Sequence, residues 1–413
     1  MSLVRDSLRW LRDPYAFLDE AREQRGLTFW MDLALAGRVL VTGDPEVVRE
    51  IVAHPDLDAG QGIAALRQIL GDRSLITLDG EDHAARRRLV APLFRRDLEA
   101  LDATTIEAAS EAIREISPGQ TFSIYDFARR ISLRAIVRLL FGETSREEAD
   151  RAERLVDAFL LAFESPWVLF LRPLHVDLGP LTAWGRALRN RRRLTEFLQE
   201  RIAAARRFEQ DGGLARIVRE GADLPDDEIV SEVLALLLFG HDTGAATLAW
   251  AFVHIHRHPE ALQKIRDETG EPLYLRACLE ESMRLCPVVV HLTRVARQET
   301  RIGDETLPAG TRVFPSAYLA QRNPEVFPEP DRFLPERFLE GTAFEGSYFP
   351  FGFGARTCIG RHFVMRQMIL LTSTILRHAD LALLPGDRAR PVRRLVLILP
   401  EGGTRMVLQG WRP

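Results

Sequence analysis

The sequence has little of several features that mark other classes of protein. Lys264 is its only lysine and the formal net charge is -4, so the strongly basic balance of a nucleic-acid-binding protein is missing. No run of about 18 uncharged apolar residues occurs, and charged residues interrupt the N-terminal segment where a signal peptide would be apolar. The three cysteines, Cys278, Cys286 and Cys358, are too few for a disulfide framework. We therefore expect a cytoplasmic protein that has no transmembrane anchor and binds no nucleic acid.

Helical periodicity dominates what is present. It is clear over residues 126–142 and 182–207, whereas strand-like runs are short. The strand candidates are residues 27–33, 38–43, 311–316 and 394–410, the last with Gly402-Gly403 as a hairpin turn. The pattern predicts a mainly α fold with small β-sheets. We expect one domain over 1–413, with a small β-rich lobe at about 25–45, a C-terminal hairpin and a large helical lobe.

The longest predicted helix begins after Pro225 and ends before Pro259. Its length of about 50 Å requires it to cross the core. It contains Gly240 and Gly244 on either side of the polar pair Asp242 and Thr243. Each glycine costs about 1 kcal/mol relative to alanine inside a helix, which favours a close backbone approach or a local bend at this point. A packed helix crossing in which the threonine is simply hydrogen-bonded is the alternative.

The segment FGFGARTCIG, residues 351–360, surrounds Cys358 with glycine, phenylalanine and arginine. Cys358 and His362 would supply only two zinc ligands, and the sequence has no C-x-x-C. A Cys/His hydrolase pair is also disfavoured, because no third group is evident that would orient His362. Cys278 and Cys286 are expected to be small buried apolar residues.

Further patterns occur in a fixed order along the chain. His83 and Arg87 lie four apart on an amphipathic helix, Glu281 and Arg284 lie three apart on another, and Arg337 ends a proline-rich stretch. With the cysteine segment, they resemble the cytochrome P450 family of haem-thiolate monooxygenases from about residue 83 onward. The most specific part is the motif F-x-x-G-x-R-x-C-x-G, carried by Phe351, Gly354, Arg356, Cys358 and Gly360.

The resemblance implies that haem b lies between the long central helix and the helix after the cysteine, with Cys358 as the thiolate ligand of its iron. Gly240, Phe351 and Gly360 would adjoin the haem, and Phe351 would shield the thiolate. A buried, hydrogen-bonded triad would hold the cysteine loop in register. The haem propionates would be bound by His83, Arg87, Arg294 and Arg356. The triad would be formed by Glu281, Arg284 and Arg337.

On the opposite side of the haem, Asp242 and Thr243 match the acid-alcohol pair that delivers protons during oxygen activation. Two residues depart from the family pattern, since Phe239 stands where a small residue is common and Gly244 where a hydroxyl is common. His241 is expected to point away from the haem. The resemblance further implies a substrate pocket formed by the loop after Asp58, residues 158–176, Phe239, Val288, Val289, Val290, His291, Leu292 and Val396. Residues 158–176 could be core packing or a shallow membrane contact, but a mobile lid over the pocket is the preferred interpretation.

The predicted activity is insertion of one oxygen atom of O2 into a hydrophobic terpenoid, steroid, fatty-acid or polyketide-like molecule by a monomer. The stretch after Cys358 has room for one helix and a hairpin, so we expect no fused reductase. Electrons would come from a ferredoxin or flavodoxin with its reductase, docked at the face nearest the thiolate. The arginines expected at that face are Arg86, Arg88, Arg95, Arg96, Arg361 and Arg366. The alternatives are a peroxide-driven enzyme of the same cofactor and a non-catalytic haem-binding sensor or carrier.

Overall fold

A computed structural model describes residues 3–34, 36–95, 98–142, 146–161, 176–208, 212–339 and 344–412. Most of these residues are helical, and the strands are short, as the sequence predicts. The α-helices are α1 (Leu3–Arg12), α2 (Pro14–Arg25), α3 (Pro45–Ala53), α4 (Arg67–Leu70), α5 (Gly80–Val90), α6 (Leu98–Arg114), α7 (Ile124–Phe141), α8 (Arg146–Leu161), α9 (Ala183–Arg207), α10 (Gly213–Glu220), α11 (Asp226–Phe239), α12 (Asp242–Arg257), α13 (Pro259–Asp267), α14 (Leu273–Leu285), α15 (Ala317–Ala320) and α16 (Arg361–His378).

The two helices predicted from periodicity are confirmed as α7 and α9. Each begins at a hydroxyl cap, which supplies an acceptor for a backbone N–H that has no partner in the first turn. Ser123 Oγ accepts from Asp126 N at 3.1 Å, and Thr182 Oγ1 accepts from Gly185 N at 3.1 Å.

The long central helix runs from 226 to 257 as predicted but bends at Gly240 and His241, between α11 and α12. Its two halves pack into different hydrophobic cores, α11 with α9 and α10, and α12 with α14 and β11 (Leu397–Pro400). A Cβ at Gly240 would lie 2.4 Å from Leu236 O, and one at Gly244 would lie 2.7 Å from Val364 Cγ2. Both expected roles of the glycines, bending and close approach, are therefore present. The most apolar stretch of this helix is 78% buried, so it is a core helix.

The main sheet has five strands in the order β1-β2-β8-β5-β3, in which only β2 and β8 pair in parallel. It joins strands near the N-terminus to strands some 250 residues later, so the β-rich lobe is larger than the predicted range of about 25–45. The strands are β1 (Thr28–Leu33), β2 (Gly37–Thr42), β3 (Leu57–Asp58), β4 (Thr121–Ser123), β5 (Arg294–Ala296), β6 (Thr300–Ile302), β7 (Glu305–Leu307), β8 (Arg312–Pro315), β9 (Ala379–Leu383), β10 (Pro391–Arg394), β11 (Leu397–Pro400) and β12 (Arg405–Trp411).

The predicted hairpin around Gly402-Gly403 is wrong. β11 pairs with β10, whereas β12 pairs with β4 and β9 in another sheet. Gly402, Gly403 and Thr404 all have positive φ values, of 70°, 68° and 60°. Consecutive left-handed residues turn the chain out of one sheet and into the next, a path that glycine allows at little steric cost. The actual hairpin turns at Leu395 and Val396.

Candidate active site

Cys358 lies at the wall of a pocket with a volume of about 360 Å³. Its loop is folded by a bond from Cys358 N to Phe351 O of 2.8 Å and by the left-handed residues Gly352 and Gly354. A Cβ at Gly354 would lie 2.5 Å from Val52 Cγ1 of α3, so glycine is required there for space as well as conformation. Cys358 is solvent-accessible and lines the pocket, so a bound group can reach its sulfur.

Burial raises the pKa of the Cys358 thiol. The backbone N–H of Gly360, Arg87 and Arg361 act in the opposite direction, because each favours the thiolate. Gly360 lies at the start of α16, where the helix dipole also favours negative charge. The sulfur thus has the electropositive surroundings of a thiolate ligand, although burial outweighs them when no metal is bound.

Four basic side chains that the sequence singled out converge on the same pocket, namely His83, Arg87, Arg294 and Arg356. Burial, and then the positive charges of Arg356 and Arg87, lower the pKa of His83 to about 4. Burial, and then Arg356, lower the pKa of Arg294 to about 10. Each positive charge lowers the pKa of its basic neighbours, because too little negative charge lies among them to offset the repulsion.

The pairing of these cations shows what the pocket can hold. Arg294 donates to the backbone oxygen of Thr293 at 3.0 Å, and within the described part of the chain Arg87 has no acidic partner. Only Arg356 pairs with a carboxylate, Asp79, at 2.5 Å. Buried cations of this kind need anionic partners. The rest of the wall is mostly apolar, so the residues fit a flat apolar cofactor that carries two carboxylates, as haem b does.

The central helix forms the opposite wall of the pocket through Phe239, Gly240 and Thr243. The Thr243 hydroxyl donates to Phe239 O at 3.2 Å across the bend. His241 is fully buried outside the lining, and its Nδ1 donates to Leu237 O at 2.7 Å.

Asp242 is not among the lining residues and instead contacts Tyr125 at the start of α7. The Tyr125 hydroxyl donates to Asp242 Oδ1, and Arg394 Nη1 donates to the Tyr125 oxygen at 2.7 Å. Burial, and then the charge of Asp242, raise the pKa of Tyr125. The acid and the alcohol of the predicted pair thus point to different surroundings, and a proton that passes between them requires Asp242 to leave Tyr125.

The predicted substrate-pocket residues divide between the pocket and the core. Val289, His291 and Leu292 line the pocket, but Val288 and Val290 are buried in the main hydrophobic core. Val396 and Phe351 pack against the main hydrophobic core. The loop after Asp58 contributes Ala59 and Ile63 to the pocket. Of the predicted lid, residues 162–175 lie outside the described residues.

Glu281, Arg284 and Arg337 are brought together behind the pocket. Arg284 donates to Glu281 through Nε at 2.7 Å and Nη2 at 2.9 Å, and both side chains are fully buried. Arg337 Nε donates to Glu281 Oε1 at 3.2 Å, as does the backbone N of Leu334 at 2.9 Å. The carboxylate therefore links α14 to the proline-rich stretch before the cysteine loop.

The arginines predicted at the face nearest the thiolate do not all lie there. Arg86 is buried, because its guanidinium pairs with Glu228 at 2.5 Å and Glu232 at 3.1 Å on α11. Arg366 is exposed but donates to Asp102 at 2.6 Å. Arg88, Arg95 and Arg361 are exposed. Arg96 lies outside the described residues.

Three site residues escaped the sequence analysis. Tyr125 holds Asp242, Asp79 holds Arg356, and Glu232 joins α11 to Arg86 and to the backbone N of Leu75. Asp79 directly precedes the predicted His83 helix and Glu232 is a charge in an apolar helix, so both carried a local signal. Tyr125 carried none, since its partner is 117 residues away.

Comparison with known proteins gives the same result over nearly the whole chain. The family model for cytochrome P450 matches residues 8–407. The putative cytochrome P450 138 of Mycobacterium tuberculosis is 31% identical over 404 residues, covering 93% of this chain and 89% of that protein. The putative cytochrome P450 135B1 of the same species is 30% identical over 422 residues, covering 97% and 89%. The crystal structure of the haem domain of cytochrome P450DA superposes with a TM-score of 0.85 over 98% of this chain and 95% of that one; at 22% identity, this shows the fold alone.

Proposed function

Because the chain belongs to the cytochrome P450 family, it is a haem-thiolate monooxygenase, and we propose that its substrate is a hydrophobic small molecule and its electron donor a separate protein. Haem b, when bound, supplies the activation of O2 that lets one oxygen atom enter the substrate while the other leaves as water. The substrate proposal is a terpenoid, steroid, fatty acid or polyketide-like compound. It is supported by the aliphatic and aromatic lining near Thr243, formed by Ile63, Leu75, Ile76, Ala235, Leu236, Phe239 and Val289.

The observation that carries the proposal is the convergence of one thiol and four basic side chains on a single pocket. We assign the thiolate ligand to Cys358 and the cofactor's carboxylates to His83, Arg87, Arg294 and Arg356. A guanidinium can donate two parallel hydrogen bonds to a carboxylate, which orients the cofactor as well as binding it. Glu281, Arg284 and Arg337 have a structural role in this assignment.

The ferrous carbonyl spectrum tests the ligand assignment. The wild-type protein should show the strongly red-shifted Soret band of a thiolate-ligated haem, and Cys358→Ser should lose it. Cys278→Ala is the matched control, because Cys278 is a buried free thiol outside the pocket and the variant should keep the band. A Cys358→Ser protein that retained the band would overturn the assignment.

The substrate class is tested by a screen of terpenoids, steroids, fatty acids and polyketides. A compound that displaces the water bound to iron should shift the haem from low spin to high spin without any turnover. Binding restricted to polar or charged compounds would contradict the proposed class.

We assign the control of protons to Thr243 and Asp242. The Thr243 hydroxyl lines the pocket, where it can hold a water molecule or pass a proton at Oγ1. Asp242 is positioned to exchange its hydrogen bond with Tyr125 for one toward Thr243 and so to carry protons from the region of Arg394. A peroxide-driven enzyme would have no need of either residue.

The proposed electron donor is an acidic ferredoxin or flavodoxin that docks beside α16. A Cβ placed on Gly360 would lie 3.5 Å from the ring of Phe94, so these two residues are close neighbours. Arg361 and Arg95 come directly after them in the sequence and therefore lie in adjacent segments. Burial, and after it the charges of Arg361 and Arg95, lower the pKa of Arg87 in the pocket wall. Exposed arginines in this position attract a small acidic protein.

Reduction by ferredoxin should slow steeply as salt rises, because exposed charges are screened over about 8 Å at physiological ionic strength. Arg95→Glu should slow reduction while leaving the substrate-induced spin shift intact. Arg207→Glu is the matched control, since Arg207 is an exposed arginine at the far end of α9. A rate independent of salt, or equal effects of the two variants, would place the docking site elsewhere. We also propose a cytoplasmic location, which the free cysteines support.

A further inference from the structure

Asp79 connects two segments of the pocket wall that are far apart in sequence. Its Oδ1 accepts from the backbone N–H groups of Ala59 and Gly60, both at 2.9 Å, and its Oδ2 accepts from Gln61 N at 3.2 Å. The same carboxylate pairs with Arg356 Nη2 at 2.5 Å. One side chain therefore binds the loop over the substrate pocket and the arginine that precedes Cys358 by two residues.

The loop at residues 59–61 is seated closely against Asp79. A Cβ at Gly60 would lie 2.3 Å from Thr77 O and 2.7 Å from Asp79 Oδ2. Gly60 has a φ of -63°, so its lack of a side chain serves this approach and not an unusual backbone conformation. Gly62 is similarly close to Thr293, next to Arg294. A side chain at either glycine would therefore push the loop away from its present seat.

The two segments have different tasks under the proposed function. Ala59 and Ile63 line the pocket where the substrate would lie, whereas Arg356 faces the site assigned to a haem carboxylate. Three backbone donors and one guanidinium satisfy both oxygens of the Asp79 carboxylate. Charge-assisted hydrogen bonds of this kind are about twice as strong as neutral ones.

We propose that Asp79 is a positioning residue that couples closure of the substrate-pocket loop to retention of the haem. The coupling follows from the shared carboxylate, because a shift of residues 59–61 moves Asp79 and thereby Arg356. The inference rests on the proposed function for the assignment of Arg356 to a haem carboxylate. It adds a residue, and a link between two sites, that the family assignment does not require.

The test uses the haem-loaded protein and two rates that need no turnover. One is the transfer of haem to excess apomyoglobin, and the other is the dissociation of 4-phenylimidazole from the iron. Asp79→Asn keeps one oxygen but removes the charge and places an amide N–H against Gln61 N. Both rates should rise about tenfold, which corresponds to the loss of roughly one charge-assisted hydrogen bond.

Two further variants separate the coupling from local damage. Gly60→Ala leaves every charge in place but pushes the loop off Asp79, so it too should raise both rates, including haem loss. Asp82→Asn is the matched control, because Asp82 lies in the first turn of α5, just after Asp79, and among the described residues its ion pair is with exposed Arg73. It should leave both rates at the wild-type value.

The reduction potential distinguishes positioning from a merely structural role. Asp79→Asn removes a negative charge next to Arg356 and the haem and should shift the potential upward, whereas Gly60→Ala should not. The proposal is overturned if Asp79→Asn behaves as Asp82→Asn, or if each variant alters only the rate on its own side of the pocket. If Asp79→Asn fails to load haem, Gly60→Ala decides alone. A wild-type protein without the thiolate-type carbonyl band would instead refute the proposed function.

Discussion

Replacement of Glu281 by glutamine is the most stringent test of how the cysteine loop is held. Glu281 accepts four hydrogen bonds, three of them at Oε1, and two of its donors are the guanidinium groups of Arg284 and Arg337. Glutamine would preserve the shape and one oxygen. It would also place an N–H opposite Arg284 Nε and leave two guanidinium charges without their anion.

The expected cost follows from burial. Glu281 and Arg284 are 0% exposed and the Arg337 side chain is 13% exposed, so solvent cannot replace the lost charge. Breaking such a pair from one side costs about 3 to 5 kcal/mol. With an m-value of about 3 kcal/mol/M, the urea midpoint should fall by about 1 to 1.7 M.

The neighbouring Glu280 provides the control. It pairs with Arg276 at 3.3 Å, and that arginine is 54% exposed. Burial raises the pKa of Glu280, so the charge there is not favoured and Glu280→Gln should change stability by less than about 1 kcal/mol.

The assay is the loss of the thiolate-type carbonyl band with urea. The band should report the damage because Arg284 donates to Gln321 O at 2.9 Å, and Gln321 Oε1 accepts from Phe349 N just before the cysteine loop. Equal midpoints for Glu281→Gln and Glu280→Gln would refute the reasoning. A Glu281→Gln protein with the wild-type urea midpoint that lacks the band even without urea would also refute the reasoning. In that case the triad would act on the thiolate ligand and not on the stability of the fold.

Three other predictions concern protons. Thr243→Ala should still consume reduced cofactor but release mainly hydrogen peroxide, whereas Thr247→Ala, whose hydroxyl bonds the backbone outside the pocket, should stay coupled; normal coupling in both would show that the proton relay lies elsewhere. Tyr125→Phe should lower the solvent deuterium isotope effect on O2 consumption, because Asp242 no longer has to break that hydrogen bond before it carries a proton. The folded, haem-free protein holds the pKa of His83 at about 4, below its ordinary 6.5, so the unfolded chain takes up that proton first as the pH falls. Haem-free wild type should therefore lose stability between about pH 6.5 and pH 4, and His83→Gln should lose less of it; parallel urea midpoints over that range would contradict the assignment.

The fold and much of the site were predictable where the pattern is local. Helix α9 and its cap at Thr182 follow from periodicity and residue type. The pairing of Glu281 with Arg284 follows from their spacing on one helix. The sequence favoured a close approach or a bend at Gly240, and the structure supplies the contact with Leu236 O that a side chain there could not make. The hairpin predicted at Gly402-Gly403 was wrong, because a turn in the backbone does not show which strand the residues after it pair with.

By itself, the sequence determined the class of fold, the cofactor and the order of the chemistry-bearing segments, because helix spacing and the cysteine motif are set within a few residues. Only the tertiary structure decided which partners those residues meet. Arg86 appeared to be a surface cation, but two acids some 140 residues later bury it. Asp242 turns to Tyr125, and Asp79 joins Arg356 across 277 residues. Such contacts depend on how whole helices and strands pack against one another. Packing brings together side chains that are far apart in the sequence, and the residues around each of them do not indicate the contact.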